Sequence, residues 1–93
     1  MNFGEALEAL KDGKKVARKG WNGKGMFLIL TPGITVMAEQ MRSSGARDYY
    51  WSVEKPVVSI NSHIDMKAAD DTMVIGWLAS QTDMLADDWE VIE

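Results

Sequence analysis

The 93-residue chain has no cysteine, which excludes disulfide staples, thiolate metal ligands and a cysteine nucleophile together. It has a single histidine, too few imidazoles for a structural zinc site built without thiolates. Proline is scarce, and no repeat, linker or low-complexity segment interrupts the chain. No apolar run nears the roughly 18 residues that would span a bilayer. The opening MNFGEALEAL lacks the basic and apolar regions of a leader peptide, so a cytosolic protein with no membrane partner is expected. Cations are outnumbered, ten Lys and Arg against fourteen Asp and Glu. The formal net charge of −4 argues against DNA or RNA as a partner, because phosphate-backbone affinity comes mainly from Lys and Arg. The glycine patterns of P-loops, dinucleotide-binding turns and nucleophile elbows are also missing.

What is there matches an ordinary globular protein: 46% hydrophobic and 26% charged residues. One domain over residues 1–93 is expected. A chain of this size builds one modest core and leaves little room for a deep cleft, so a sizeable pocket would form more naturally between subunits of a homo-oligomer. The charge is unevenly spread. Lys11, Lys14, Lys15, Arg18, Lys19 and Lys24 crowd one stretch, whereas the chain from Asp83 onward carries acids alone, so a local anion site survives the global sign.

Asn2 and Glu5 have capping-box spacing, and Phe3, Ala6, Leu7 and Leu10 follow at helical intervals until Asp12-Gly13. Residues 14–21 read as a polar strand running into Asn22-Gly23, a pair suited to a type I′ hairpin, with GMFLIL as the returning strand buried on both faces. Residues 34–56 carry weaker signals. Val36, Met37 and Met41 fit one side of a helical turn, SSGARD reads as an exposed loop, and YYW is an aromatic cluster. Residues 60–68 alternate strictly, which predicts one half-buried strand with Ile60, Ile64 and Met66 inward and His63, Asp65 and Lys67 outward. TMVIGW follows as its hairpin partner with Met73, Ile75 and Trp77 on one face. LASQTDMLADDW then predicts a loop and a short helix, and WEVIE a closing strand. The sum is an α+β fold: a small antiparallel β-sheet with an N-terminal helix and a short C-terminal helix.

Trp21 has two readings. Flanked by Arg18, Lys19 and Lys24 beside a tight turn, its indole offers a stacking face next to phosphate partners. Alternatively it folds back onto the sheet, and the cations keep an edge strand soluble. Trp77 precedes LASQTD, whose Ser80, Gln81, Thr82 and Asp83 suit ribose and base edges, yet Ser80 and Asp83 also have capping-box spacing. The two roles are compatible at a helix N-terminus. Trp89 reads as core. His63 reads as an exposed strand residue, and although a Ser-His-Asp set can be assembled on paper, no sequence context supports it. The pairs Asp70-Asp71 and Asp87-Asp88 lie in apparent turns and are weak candidates for acid-base chemistry or Mg²⁺.

Read together, the opening MNFGEALEALKDGKKVARKGWNGKGMFLIL and the ending GWLASQTDMLADDWEVIE resemble the phage-encoded Thoeris anti-defence family of nucleotide sponges. The resemblance implies a non-enzymatic protein, without cofactor or metal, that sequesters cyclic ADP-ribose isomers made by bacterial TIR-domain immune proteins. It would act in the cytoplasm of the infected bacterial host. It further implies a homo-oligomer, a tetramer where described, with pockets shared between subunits, and in some members capture of cyclic dinucleotides. Carried onto this chain, it implies that Trp21 and Trp77 pack on the adenine or ribose rings. Asn22, Ser80, Thr82 and Asp83 would hydrogen-bond the ribose or base edge, and Arg18 and Lys24 would meet phosphates. Two other functions stay open. YYWSV favours a protein-protein interaction module, and His63 with the paired acids keeps a small phosphodiesterase in view.

Overall fold

A computed structural model describes residues 1–21 and 24–93. Among these residues the architecture is α+β: three α-helices, a five-stranded antiparallel sheet and a separate two-stranded sheet. The chain divides into two compact units, one of Met1–Thr31 with His63–Glu93 and the other Pro32–Ser62. No helix among the described residues is long and apolar enough to cross a membrane.

In the first unit, helix α1 (Phe3–Lys11) starts where the capping box sets it. Asn2 Oδ1 accepts from the Glu5 amide at 2.8 Å, and Glu5 Oε1 accepts from the Asn2 amide at 2.9 Å. The helix stops at Asp12, and Gly13 takes the left-handed turn at φ 86°. Strands β1 (Lys15–Arg18), β2 (Phe27–Thr31), β5 (His63–Lys67), β6 (Met73–Val74) and β7 (Trp89–Ile92) form the main sheet in the order β6-β5-β2-β1-β7. Ala6, Leu10, Val16, Leu28 and Trp89 are buried together where α1 lies on this sheet.

Three expectations change here. The strand expected over residues 14–21 ends at Arg18, because the Gly20 amide turns to Asp88 Oδ2 and the Trp21 amide closes onto the Arg18 carbonyl. The hairpin pair Asn22-Gly23 lies outside the described residues. In β2 only Leu28 is fully buried, and Phe27 instead carries the ammonium groups of Lys15 and Lys67 at 5.3 and 6.0 Å from its ring centroid. TMVIGW pairs over only Met73–Val74, since Gly76 turns left-handed at φ 83° and gives its amide to Asp65 rather than to a neighbouring strand.

The alternating stretch 60–68 is two strands in different sheets. In the second unit, β4 (Val57–Ile60) pairs with β3 (Ile34–Met37) from Ile34↔Ile60 to Met37↔Val57, while β5 pairs with β2 from Thr31↔His63. Pro32 has no N–H with which to extend the β2 ladder past Thr31, and Asn61-Ser62 carries the chain between ladders without breaking the alternation. Met37 belongs to β3 and precedes a 3-10 turn at Ala38–Gln40, rather than lying in a longer helical turn. SSGARD is no loop: Ser43 caps helix α2 (Ser44–Ser52) by accepting from the Ala46 amide, and YYW lies inside that helix.

Candidate functional site

Strand β7 supplies the foundation of the site. Trp89 pairs with Arg18 across β1 and is only 2% exposed, so its indole forms a fixed wall. Its Nε1–H donates to the Asp83 carbonyl at 2.9 Å, which ties β7 to the short helix α3 (Gln81–Met84). Against this wall stand Trp21, centroid 5.4 Å away and edge-on at 79°, and Trp77, 6.2 Å away at 83°. The Trp21 and Trp77 rings are themselves 6.4 Å apart at 62°, and Phe3 of α1 touches both Trp77 and Trp89. Each edge-to-face contact of this kind adds about 0.5–1.5 kcal/mol beyond the area it buries. The two tryptophans singled out in the sequence, 56 positions apart, are therefore neighbours in space.

An ion network holds Trp21 in place. Asp83 Oδ1 accepts from Trp21 Nε1 at 3.2 Å and from Arg18 Nη1 at 2.8 Å. Arg18 Nε donates to Asp88 Oδ1 at 2.8 Å, and Asp88 Oδ2 accepts from the Gly20 amide at 2.8 Å. One guanidinium thus bridges two carboxylates that fix the two ends of the Arg18–Trp21 turn. Burial pushes the Asp83 carboxyl up, but the hydrogen bonds from Arg18, Trp21 and Ser80 outweigh it and hold the group below the ordinary aspartate range. The hydrogen bond from Arg18 holds Asp88 low, and the hydrogen bonds that Arg18 donates to Asp88 and then to Asp83 raise its guanidinium.

A cavity of about 360 Å³ opens beside this network, with Arg18, Lys19, Trp21, Phe27, Glu90 and Ile92 among its lining residues. Of the residues expected at a site, Arg18, Trp21, Trp77 and Asp83 are brought together. Ser80 acts as the N-cap of α3, its Oγ accepting from the Asp83 amide at 3.1 Å, and its side chain is exposed. Thr82 is exposed on the same helix, Lys24 is exposed in the turn before β2, and Asn22 lies outside the described residues. Arg18 already serves two carboxylates, leaving Nη2, with one long 3.5 Å contact to Asp88, as its freest donor. A second cavity, about 350 Å³, lies in the other unit at Tyr50, Trp51, Glu54, Lys55 and Pro56. The first combines an anchored indole with Arg18 and Lys19, the latter 3.9 Å from Glu90 on the same lining.

The sequence misplaced two groups of β5: His63, expected to be exposed, is half-buried against Asp65, and Asp65 lies deeper still. Asp65, expected to face outward, is 1% exposed. Its Oδ1 accepts from the Gly76 amide at 2.9 Å and lies 2.7 Å from His63 Nδ1, and its Oδ2 accepts from Thr31 Oγ1. Burial pushes this carboxyl up, but the donors from Thr31, Gly76 and His63 outweigh it and leave it below the ordinary range. Since the carboxylate only accepts, the His63 proton sits on Nδ1. No group of three or more His, Cys, Asp or Glu side chains suited to a metal ion occurs among the described residues.

Comparison with known proteins adds two findings. The family described as the Thoeris anti-defense 2-like domain matches residues 1–92. The chain is also 41% identical over 92 residues to Thoeris anti-defense 2 of Bacillus phage SP01, covering 99% of this chain and 94% of that protein.

Proposed function

The chain belongs to the Thoeris anti-defense 2-like family, and from that premise we propose that it is a nucleotide sponge, which binds a cyclic ADP-ribose isomer and holds it without cleaving it. The observation that carries this reading is the anchored Trp21 indole at the cavity, its Nε1–H fixed by Asp83 and its flank lined by Arg18 and Lys19. A ring held in this way gives up little rotamer freedom when a base or ribose packs on it. Trp21 and Trp77 are the stacking residues of the proposal. Asn22, Ser80, Thr82 and Asp83 are its hydrogen-bonding residues, and Arg18 through Nη2 together with exposed Lys24 meets phosphate.

A sponge works by residence time. A dissociation constant near 1 nM corresponds to about −12 kcal/mol, whereas each base stacked on an aromatic ring supplies about 1–3 kcal/mol. The remainder has to come from polar contacts and from enclosure, and exposed apolar side chains support enclosure by a second copy. Trp51 is 79% exposed, Leu78 90% and Leu85 80%, apolar side chains available for contact with a second copy. A homotetramer with shared pockets, acting in the cytoplasm of the infected host, completes the proposal. The exposed Tyr49 and Trp51 of α2 also favour a second reading, a surface that binds another protein.

The deciding experiment incubates the purified protein with a cyclic ADP-ribose isomer, removes free ligand, and then heat-denatures the complex. Release of intact ligand in proportion to protein is expected. A hydrolysed product would overturn the sponge in favour of an enzyme, and no retained ligand would favour the protein-binding reading.

A further inference from the structure

Trp77 sits in the connection between β6 and α3, flanked by exposed Ile75 and Leu78. Its ring nevertheless keeps defined geometry toward Trp21, Trp89 and Phe3. Two backbone amides tie this connection to β5: that of Trp77 donates to the Ile64 carbonyl at 2.7 Å, and that of Gly76 donates to the Asp65 side chain at Oδ1, 2.9 Å away. We propose that Asp65 is a positioning residue for the stacking face, fixing Trp77 through the Gly76 amide; the functional half of this proposal rests on the nucleotide-binding reading above.

The chemistry of the cluster favours this role over simple packing. Gly76 is exposed and held at φ 83°, a conformation open to glycine at no steric cost, and its N–H is given to the buried Asp65 carboxylate rather than to water. Asp65 meets it with a carboxylate that is itself immobilised from both sides. Thr31 Oγ1 holds Oδ2, and His63 Nδ1–H shares Oδ1 with Gly76. Threonine and histidine lie on β2 and β5, paired at Thr31↔His63, so the acceptor is built into the sheet, and the loop inherits its position from the sheet. A serine or threonine at 65 would bring a hydroxyl donor into a cluster that already supplies three donors.

The test compares Asp65→Ala, Asp65→Asn and Gly76→Ala with the wild type. Asparagine keeps a carbonyl at Oδ1 for Gly76 and His63 and can turn its NH₂ to Thr31 Oγ1, whereas alanine leaves the Gly76 amide without its acceptor. A Cβ at Gly76 meets no atom within 4 Å, so Gly76→Ala strains only the loop conformation and leaves the buried carboxylate in place. In ligand-free protein, amide exchange at Gly76 and Trp77 should speed up about tenfold or more in Asp65→Ala and in Gly76→Ala, with the β1–β7 amides unchanged, and stay near wild type in Asp65→Asn. Near-UV circular dichroism from the coupled indoles should weaken in the same two variants. Well below the melting temperature, binding of a cyclic ADP-ribose isomer should weaken about tenfold or more in those variants, and less than about threefold in Asp65→Asn.

Equal loss in Asp65→Asn and Asp65→Ala, or unchanged exchange at both amides, overturns the proposal. If Asp65→Ala does not fold, Gly76→Ala and Asp65→Asn decide it by the same measurements. If wild-type protein retains no cyclic nucleotide, the sponge reading falls, while the exchange and dichroism measurements still decide whether Asp65 positions Trp77.

Discussion

Replacing Trp21 by alanine separates what the indole does for the fold from what it does for a ligand. The ring makes edge-to-face contacts with Trp89 and Trp77 and one hydrogen bond from Nε1 to Asp83. At about 0.5–1.5 kcal/mol for each aromatic contact and a similar amount for the hydrogen bond, the ligand-free protein should lose about 1.5–4.5 kcal/mol. For a chain of this size that is a fall of about 6–36 °C in melting temperature. Loss of a stacked base adds about 1–3 kcal/mol to binding, so affinity for a cyclic ADP-ribose isomer should fall about five- to 150-fold. Urea unfolding of the free protein gives the first quantity, and titration calorimetry below the variant's transition gives the second. Trp21→Phe is the control: it keeps a stacking ring and loses the Asp83 bond, so it should cost about 1 kcal/mol of stability while holding affinity within a few-fold. A folded Trp21→Ala protein of unchanged oligomeric state and unchanged affinity would refute the site. A stability loss well under 1 kcal/mol would refute the packing on which the estimate rests.

Two further outcomes follow from the geometry. Asp65, Asp83 and Asp88 are held below the ordinary aspartate range in the folded protein. Their contributions are therefore fully present above the unfolded value of about pH 4 and are lost as pH falls through the folded values. Urea midpoints should be flat from neutrality to mildly acidic pH and drop steeply below that range, and a midpoint that stays constant into strong acid contradicts the three lowered carboxyls. Asn2→Ala removes the side-chain half of the capping box and should cost about 0.5–2 kcal/mol with no change in ligand affinity, because the α1 cap makes no hydrogen bond to Trp21, Arg18 or Asp83; a shifted dissociation constant would show that α1 bears on the site more directly.

Elements with local causes were legible in the sequence. The α1 cap depends on Asn2 and Glu5 alone, α3 on Ser80 and Asp83, and the burial of Trp89 on its place in an apolar closing strand. Helix α2 was missed because it buries none of its residues, so no apolar stripe marked it, and Gly45 after Ser43-Ser44 looked like a loop. The break between β4 and β5 was invisible because Asn61-Ser62 preserves the period of two while the partner strand changes from β3 to β2. At the site, the two Trp-bearing motifs were readable as a pair, but the use of Arg18 by Asp83 and Asp88, 65 and 70 positions away, was not. Asp65 is the sharpest case. Alternation put it on the polar side of β5, and the donors that make a buried carboxylate tolerable there, from Thr31 and Gly76 beside neighbouring His63, come mostly from other parts of the chain.

The pair Thr31↔His63 sits at the end of the β2–β5 ladder, and the whole of Pro32–Ser62 leaves and re-enters the first unit at that point. In topological terms β2 and β5 are a hairpin whose connecting loop has grown into a compact body of its own. Such growth is thermodynamically mild, since each doubling of loop length adds only about 0.6 kcal/mol of closure entropy. The first unit therefore has a natural port for exchange: segments of different length and surface can be spliced between Thr31 and His63 while the register of the five-stranded sheet, and the tryptophans built on it, stay as they are.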